Sequence, residues 1–157
     1  ARAIEQAPWE VIMLAYSLAN QGARHRIFPV TRRRGIGTLL MFVVRNIFSN
    51  AAYRRDVFAK LVEQGHLDAS VLADGDPLAF LVAEGSAQSI TDAAYRYARH
   101  EDGADVILFG TGSKDHVRAN VDSILRPPLP TPVIERLHAS FGHLTGVGLD
   151  LPGPVKA

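Results

Sequence analysis

The sequence has no cysteine, which excludes disulfide staples and thiolate metal sites and suits a reducing compartment. Nor does one sign of charge dominate. Its 17 basic and 16 acidic side chains leave a net charge of +1, so bulk electrostatics make no case for nucleic acid or a membrane surface as a partner. Long hydrophobic runs are missing as well. The longest, residues 39–44, falls far short of the roughly 20 residues a membrane span needs. The apolar run at 11–14 sits behind Pro8-Trp9-Glu10 without the basic flank of a signal peptide. These deficits predict a soluble, cytoplasmic globular piece with no metal site. An initiator methionine is lacking too: the chain opens on Ala1, in what reads as the tail of a helix.

What is present is enough apolar matter, 47% of residues, for one ordinary core. The stretch around which the chain is organised is 105–120. Val106, Ile107, Leu108 and Phe109 make a short run of β-formers that reads as a strand buried on both faces. Gly110-Thr111-Gly112 stops it, and Ser113 is placed to cap a helix whose apolar positions Val117, Val121 and Ile124 recur before Pro127 and Pro128. Strand, glycine turn and helix in that order direct unpaired N–H groups and a positive helix end at one spot, which suits a phosphate. Alone, the Gly-x-Gly equally describes an empty tight turn.

Two further strands are predicted at 11–16 and 37–44. Between them Asn20 to Gly22 breaks the chain, and a basic helical segment, interrupted near Pro29, ends at Gly35 after Arg32-Arg33-Arg34, where cations complement the helix dipole. A long excursion, 45–88, carries its own helices at 53–64, with Val57, Phe58, Leu61 and Val62 on one face, and at 77–84, packing by Leu78, Leu81 and Val82. Ser89 and Asp92 form a capping box for a helix bearing Ile90, Ala93, Ala94, Tyr97 and Ala98. Thr131-Pro132 opens the last helix, whose face is Ile134, Leu137, His138 and Phe141. Residues 1–144 read as one unit and 145–157 as a flexible tail.

Strands alternating with helices predict an α/β fold with adjacent parallel strands in chain order. Three strands are thin for a doubly wound sheet, and an eight-stranded barrel takes about 250 residues. The pattern therefore fits part of a larger α/β unit. The excursion, following a strand, belongs at the C-terminal face of the sheet as a lid or belt.

Phe109-Gly110-Thr111-Gly112-Ser113-x-x-His116-Val117-x-x-Asn120 resembles the last strand and cofactor loop of the aldo/keto reductases. Residues 11–17 resemble the sixth barrel strand, 37–42 the seventh and 89–100 the helix before the eighth. The resemblance implies a partial TIM (β/α)8 barrel with the sixth to eighth strands and a long helical insertion. It also implies an oxidoreductase using NADP or NAD for carbonyl reduction or alcohol oxidation on a small-molecule substrate. The family's aspartate, tyrosine, lysine and histidine lie upstream of anything present, so no catalytic residue is expected here and the chain alone is expected to be inactive. Tyr16, Tyr53, Tyr95 and Tyr97 are expected to be packing or surface residues. Carried over position by position, Phe42 faces the nicotinamide, and Gly110, Thr111, Gly112 and Ser113 cradle the adenosine-side phosphates. Lys114 and His116 lie near any 2′-phosphate, and Asn120 meets the adenine edge. Met13 stands where the family has a carboxamide-binding glutamine, and His116 where it has an arginine.

The expected partner is the remainder of the barrel or a second copy. Side chains sealed in a closed barrel, Leu39, Met41, Phe42, Ile107 and Phe109, are expected to be exposed. The alternative is a non-catalytic remnant or nucleotide-binding module of the same fold. A third reading, an RNA face built from Arg24, Arg26 and Arg32 to Arg34, has no aromatic platform beside it.

Overall fold

The three apolar runs become three parallel strands in the order the chain visits them. The computed structural model describes residues 2–6, 8–73 and 75–145. In it β1 (Val11–Ala15), β2 (Gly37–Met41) and β3 (Val106–Ile107) form one sheet of order β1-β2-β3. Its register aligns Leu14 with Leu40 and Leu40 with Ile107, and Met13 with Leu39 and Leu39 with Val106. Because side chains alternate across a sheet, the first three share one face and the second three the other.

Among the described residues only the first face is covered. Leu40 is fully buried, and Leu14 and Ile107 pack against a core that includes Phe28, Tyr97, Leu137 and Phe141. On the second face Val11, Met13 and Val106 are 53%, 55% and 45% exposed. This corrects the expectation of strands buried on both faces: alternation decides burial here, because among the described residues only one side of the sheet has helices against it. The set of exposed residues shifts accordingly. Ile107 turns to the helices, and Leu39, Met41 and Phe42 are half-buried. The strands are also shorter than their apolar runs. β2 ends at Met41 because Phe42 takes a left-handed φ of 64°, and β3 ends at Ile107, with Leu108 N–H still donating to the Leu40 carbonyl at 2.9 Å.

The covering helices follow the local signals. After α1 (Arg2–Gln6), the basic segment splits into α2 (Gly22–Arg26) and α3 (Phe28–Arg34), the latter closed by Gly35 at φ 66°. Arg32 ion-pairs with Asp102, while Arg34 donates to the Ile4 and Glu5 carbonyls. Gly103, at φ 103°, lies where a Cβ would come within 2.8 Å of Phe28 Cβ, so glycine lets the turn into β3 pass close to α3.

The excursion is built around one buried cation. It contains α4 (Asn46–Ser49), α5 (Ala51–Glu63), a 3₁₀ turn (Ala69–Leu72) and α6 (Phe80–Ala83). The segment expected to be helical over 77–84 is a turn followed by that single short helix. Leu78 and Leu81 are fully buried as expected, but Val82 is exposed. Arg54 on α5 donates to the Ile47 and Phe48 carbonyls at 2.9 and 3.2 Å and pairs with Asp76, whose carboxyl its hydrogen bonds hold below the usual range. Arg54→Ala leaves those carbonyls without this donor and the Asp76 carboxylate with the Leu78 N–H but no cation. It is expected to destabilise the chain by about 3–5 kcal/mol, read as a lowered urea midpoint, against a change within about 0.5 kcal/mol for the exposed Arg33→Ala.

Three longer helices complete the layer: α7 (Ile90–Arg99), α8 (Lys114–Leu125) and α9 (Thr131–Phe141). Ser89 caps α7 as its sequence indicates, accepting from Asp92 N–H, and Asp92 accepts from Gln88 N–H. Buried Arg96 donates to the Pro127 and Pro128 carbonyls at 2.8 and 3.1 Å, tying the end of α8 to α7. α8 departs from expectation. Of the expected stripe Ile124 packs against the core, but Val117 and Val121 are each 40% exposed, and Leu125 beside them 77%. No helix among them is long and apolar enough to cross a membrane, and no group of His, Cys, Asp or Glu among them could hold a metal ion. The tail expected at 145–157 lies, apart from Thr145, outside the described residues.

Candidate functional site

A cleft of about 680 Å³ opens where β2 and β3 end. Its walls come from four places: Met41, Phe42 and Val44 at and just after the end of β2; Arg45 and Ser49 at the start of the excursion; Thr91 and Tyr95 on α7; and 108–111 with His116, Ala119 and Asn120 from β3 into α8. The left-handed turn at Phe42 takes the chain out of the sheet at the cleft's rim. Such a conformation is uncommon for a bulky residue and persists only where surrounding contacts hold it. The Arg45 guanidinium lies 4.6 Å from the centre of the Phe42 ring.

The glycine loop is ordered by its own hydroxyls. Thr111 Oγ1 accepts from Ser113 N–H at 3.2 Å and lies 3.4 Å from His116 Nδ1, while Ser113 Oγ accepts from His116 N–H at 3.4 Å and so caps α8. A Cβ on Gly110 or Gly112 would meet nothing within 4 Å, and neither residue has positive φ. The fold itself therefore places no demand for glycine at either position. What the two glycines leave is bare backbone, at Gly110 directly on the cleft, where a ligand can approach the chain closely.

Of the residues singled out from sequence, Phe42, Gly110, Thr111, His116 and Asn120 line this cleft together. Gly112, Ser113 and Lys114 are not among its lining residues. The start of the excursion borders the cleft, as a belt beside the site would. The later part does not, for Pro77, Phe80 and Glu84 line a separate cavity with Arg136 and Phe141.

Sequence reasoning missed Arg45, Ser49, Thr91 and Tyr95. Arg45 carried a usable signal, as a cation one turn beyond an apolar strand end. Tyr95, expected as packing or surface, is 3% exposed, meets Phe109 edge to face at 6.1 Å and borders the cleft, and burial raises its hydroxyl pKa. Tyr16 and Tyr97 are packing residues, as expected. Their rings stack at 5.8 Å; Tyr16 donates to Glu101 at 2.7 Å, and Arg24 pairs with that carboxylate. Burial, foremost, raises both hydroxyl pKa values. Beside them His138 is pushed down to about 4, by burial first and then by Arg24 and His25, so its ring is neutral at pH 7.

No family model and no curated protein matches the chain. Among solved structures it is similar to the aldo-keto reductase AKR11C1 from Bacillus halodurans. The holo form superposes with a TM-score of 0.55 at 19% identity, over 88% of this chain and 44% of that one. The apo form gives 0.55 at 16% identity, over 88% and 45%. The chain thus has the α/β fold of part of an aldo-keto reductase (β/α)8 barrel. It spans less than half the length of the structures it resembles.

Proposed function

We propose that this chain is the cofactor-binding portion of an NAD(P)(H)-dependent oxidoreductase of the aldo-keto reductase type, the catalytic tetrad being carried on residues outside these 157. One observation carries the reading. Residues from the ends of two adjacent parallel strands, Phe42 on one side and Gly110, Thr111, His116 and Asn120 on the other, converge on one cleft at the C-terminal end of the sheet, where barrels and open α/β sheets hold ligands. That a similar reductase has been solved in a holo form agrees with a bound cofactor.

The residues present fit such a group. Phe42 offers a ring face to the nicotinamide, open backbone at Gly110 lets phosphate approach closely, and the Asn120 amide can pair with an adenine edge. When bound, the nicotinamide supplies or accepts hydride. These side chains bind and orient it, and none of them is a proton donor for the carbonyl.

Titrating isotopically labelled protein with NADPH tests this by NMR. Binding is expected on the order of millimolar, about 4 kcal/mol, because the site has walls on only part of its circumference. Shifts should concentrate at Phe42, Thr111 and Asn120. Shifts centred on Phe80 and Phe141, or none at all, would refute the assignment.

A further inference from the structure

We infer that Arg45 is the anion anchor of this cleft and takes the phosphates of the bound molecule. The inference rests on the dinucleotide reading above and gives that site a charged partner that no sequence motif marks.

The first argument is the charge of the lining. Arg45 is the one arginine or lysine among the described residues that border the cleft, and no aspartate or glutamate is among those. His116 adds an imidazole and no negative charge. The second is that Arg45 makes none of the ion pairs found among the described residues, although Arg24, Arg32, Arg54, Arg96, Arg118, Arg126 and Arg136 each meet a carboxylate. Arg45 is half-buried, has no carboxylate partner among the described residues, and shares the cleft with the apolar Met41, Leu108 and Phe109; an arriving anion supplies the missing counter-charge.

The third argument is preorganisation. The guanidinium rests 4.6 Å from the centre of the Phe42 ring, and Phe42 is held out of the sheet by its left-handed backbone. A guanidinium over a ring face is held there by cation–π attraction, and its planar fork can match two phosphate oxygens at once. Lys114, offered by the sequence for a phosphate, is exposed and does not border the cleft. The aromatic walls, Phe42, Tyr95 and Phe109, complete the specification: a molecule carrying phosphate beside a planar ring.

Two probes test this on the whole chain, inorganic pyrophosphate and NADPH, followed by NMR at the Arg45 Nε–H and the Phe42 ring. Pyrophosphate should shift the Arg45 Nε–H, less so as salt rises. Arg45→Gln should weaken both probes at least tenfold, Arg45→Lys should restore only part of the loss, and the exposed Arg33→Gln should change nothing. The wild-type Nε–H shift decides the matter even if Arg45→Gln folds poorly. NADPH shifts at Phe42 and Asn120 that survive Arg45→Gln, or a larger loss from Lys114→Gln, would overturn the role of Arg45 and leave the dinucleotide reading standing. Pyrophosphate at Arg45 with no response to NADPH would uphold the anchor and sink the dinucleotide reading. No response to either probe overturns both.

Discussion

Mixed with NADPH and a panel of aldehydes, the purified chain is expected to leave the cofactor's absorbance unchanged. Turnover should appear only when a polypeptide carrying the first five strands of an aldo-keto reductase barrel is added. Carbonyl reduction places the hydride's electron pair on the carbonyl carbon and pushes the C=O π pair onto oxygen, so it needs a proton donor within hydrogen-bond reach of that oxygen. Tyr16 and Tyr97 cannot serve. Their hydroxyls are engaged with each other and with Glu101 on the helix-covered side of the sheet, away from the cleft. Tyr95 borders the cleft, but burial makes its proton harder to release. After complementation, Phe42→Ala and Asn120→Ala should each reduce turnover at limiting cofactor by roughly tenfold, the effect of losing one stacking or hydrogen-bonding contact. Reduction by the chain alone would disprove the division of labour. Failure of every complementing polypeptide to restore turnover, with cofactor still bound, would favour the non-catalytic module.

The second large effect concerns association. The chain is expected to sediment as concentration-dependent oligomers, and Met13→Lys combined with Val106→Lys is expected to shift it to monomer. Both strands at the margins of the sheet, β1 and β3, lack an outer neighbour among the described residues, and unpaired parallel edges recruit further strands. The bare face between them carries Val11, Met13 and Val106, each about half exposed. Covering each would contribute about 1 kcal/mol, half the value for a fully buried side chain. The Val117, Val121 and Leu125 stripe on α8 adds a helical surface beside the strand edge, so what fits best is a strand together with its helix. Lysines on the bare face oppose any partner that must desolvate them. A monomer at all concentrations for the unmodified chain would show that the face is tolerated by itself. The complementing polypeptide should compete with self-association, because the two use the same edges.

Much of this architecture is written locally. Ser89 and Ser113 declare two helix starts, Gly35 one helix end, and the apolar runs at 11, 37 and 106 the three strands, because capping, turns and strand propensity depend on neighbours a few residues away. Parallel order followed from the helices between the strands. The glycine turn was legible for the same reason, since strand, turn and helix signals follow one another within a few residues; Asn120 was marked only by the resemblance to the aldo/keto reductases. Only the tertiary structure decided which sheet face is covered, because an unbroken apolar run such as residues 39–44 has no alternation to say which side the helices will take. It also decided that Phe42 leaves the strand at φ 64°, against the propensity of its own run, and in doing so it brought Arg45 over the ring and into a cleft with residues more than sixty positions away. Charge in a sequence is a property of a residue. Whether that charge is paired, solvated or aimed at a ligand belongs to the space around it, and that space is made by segments that do not meet until the chain has folded.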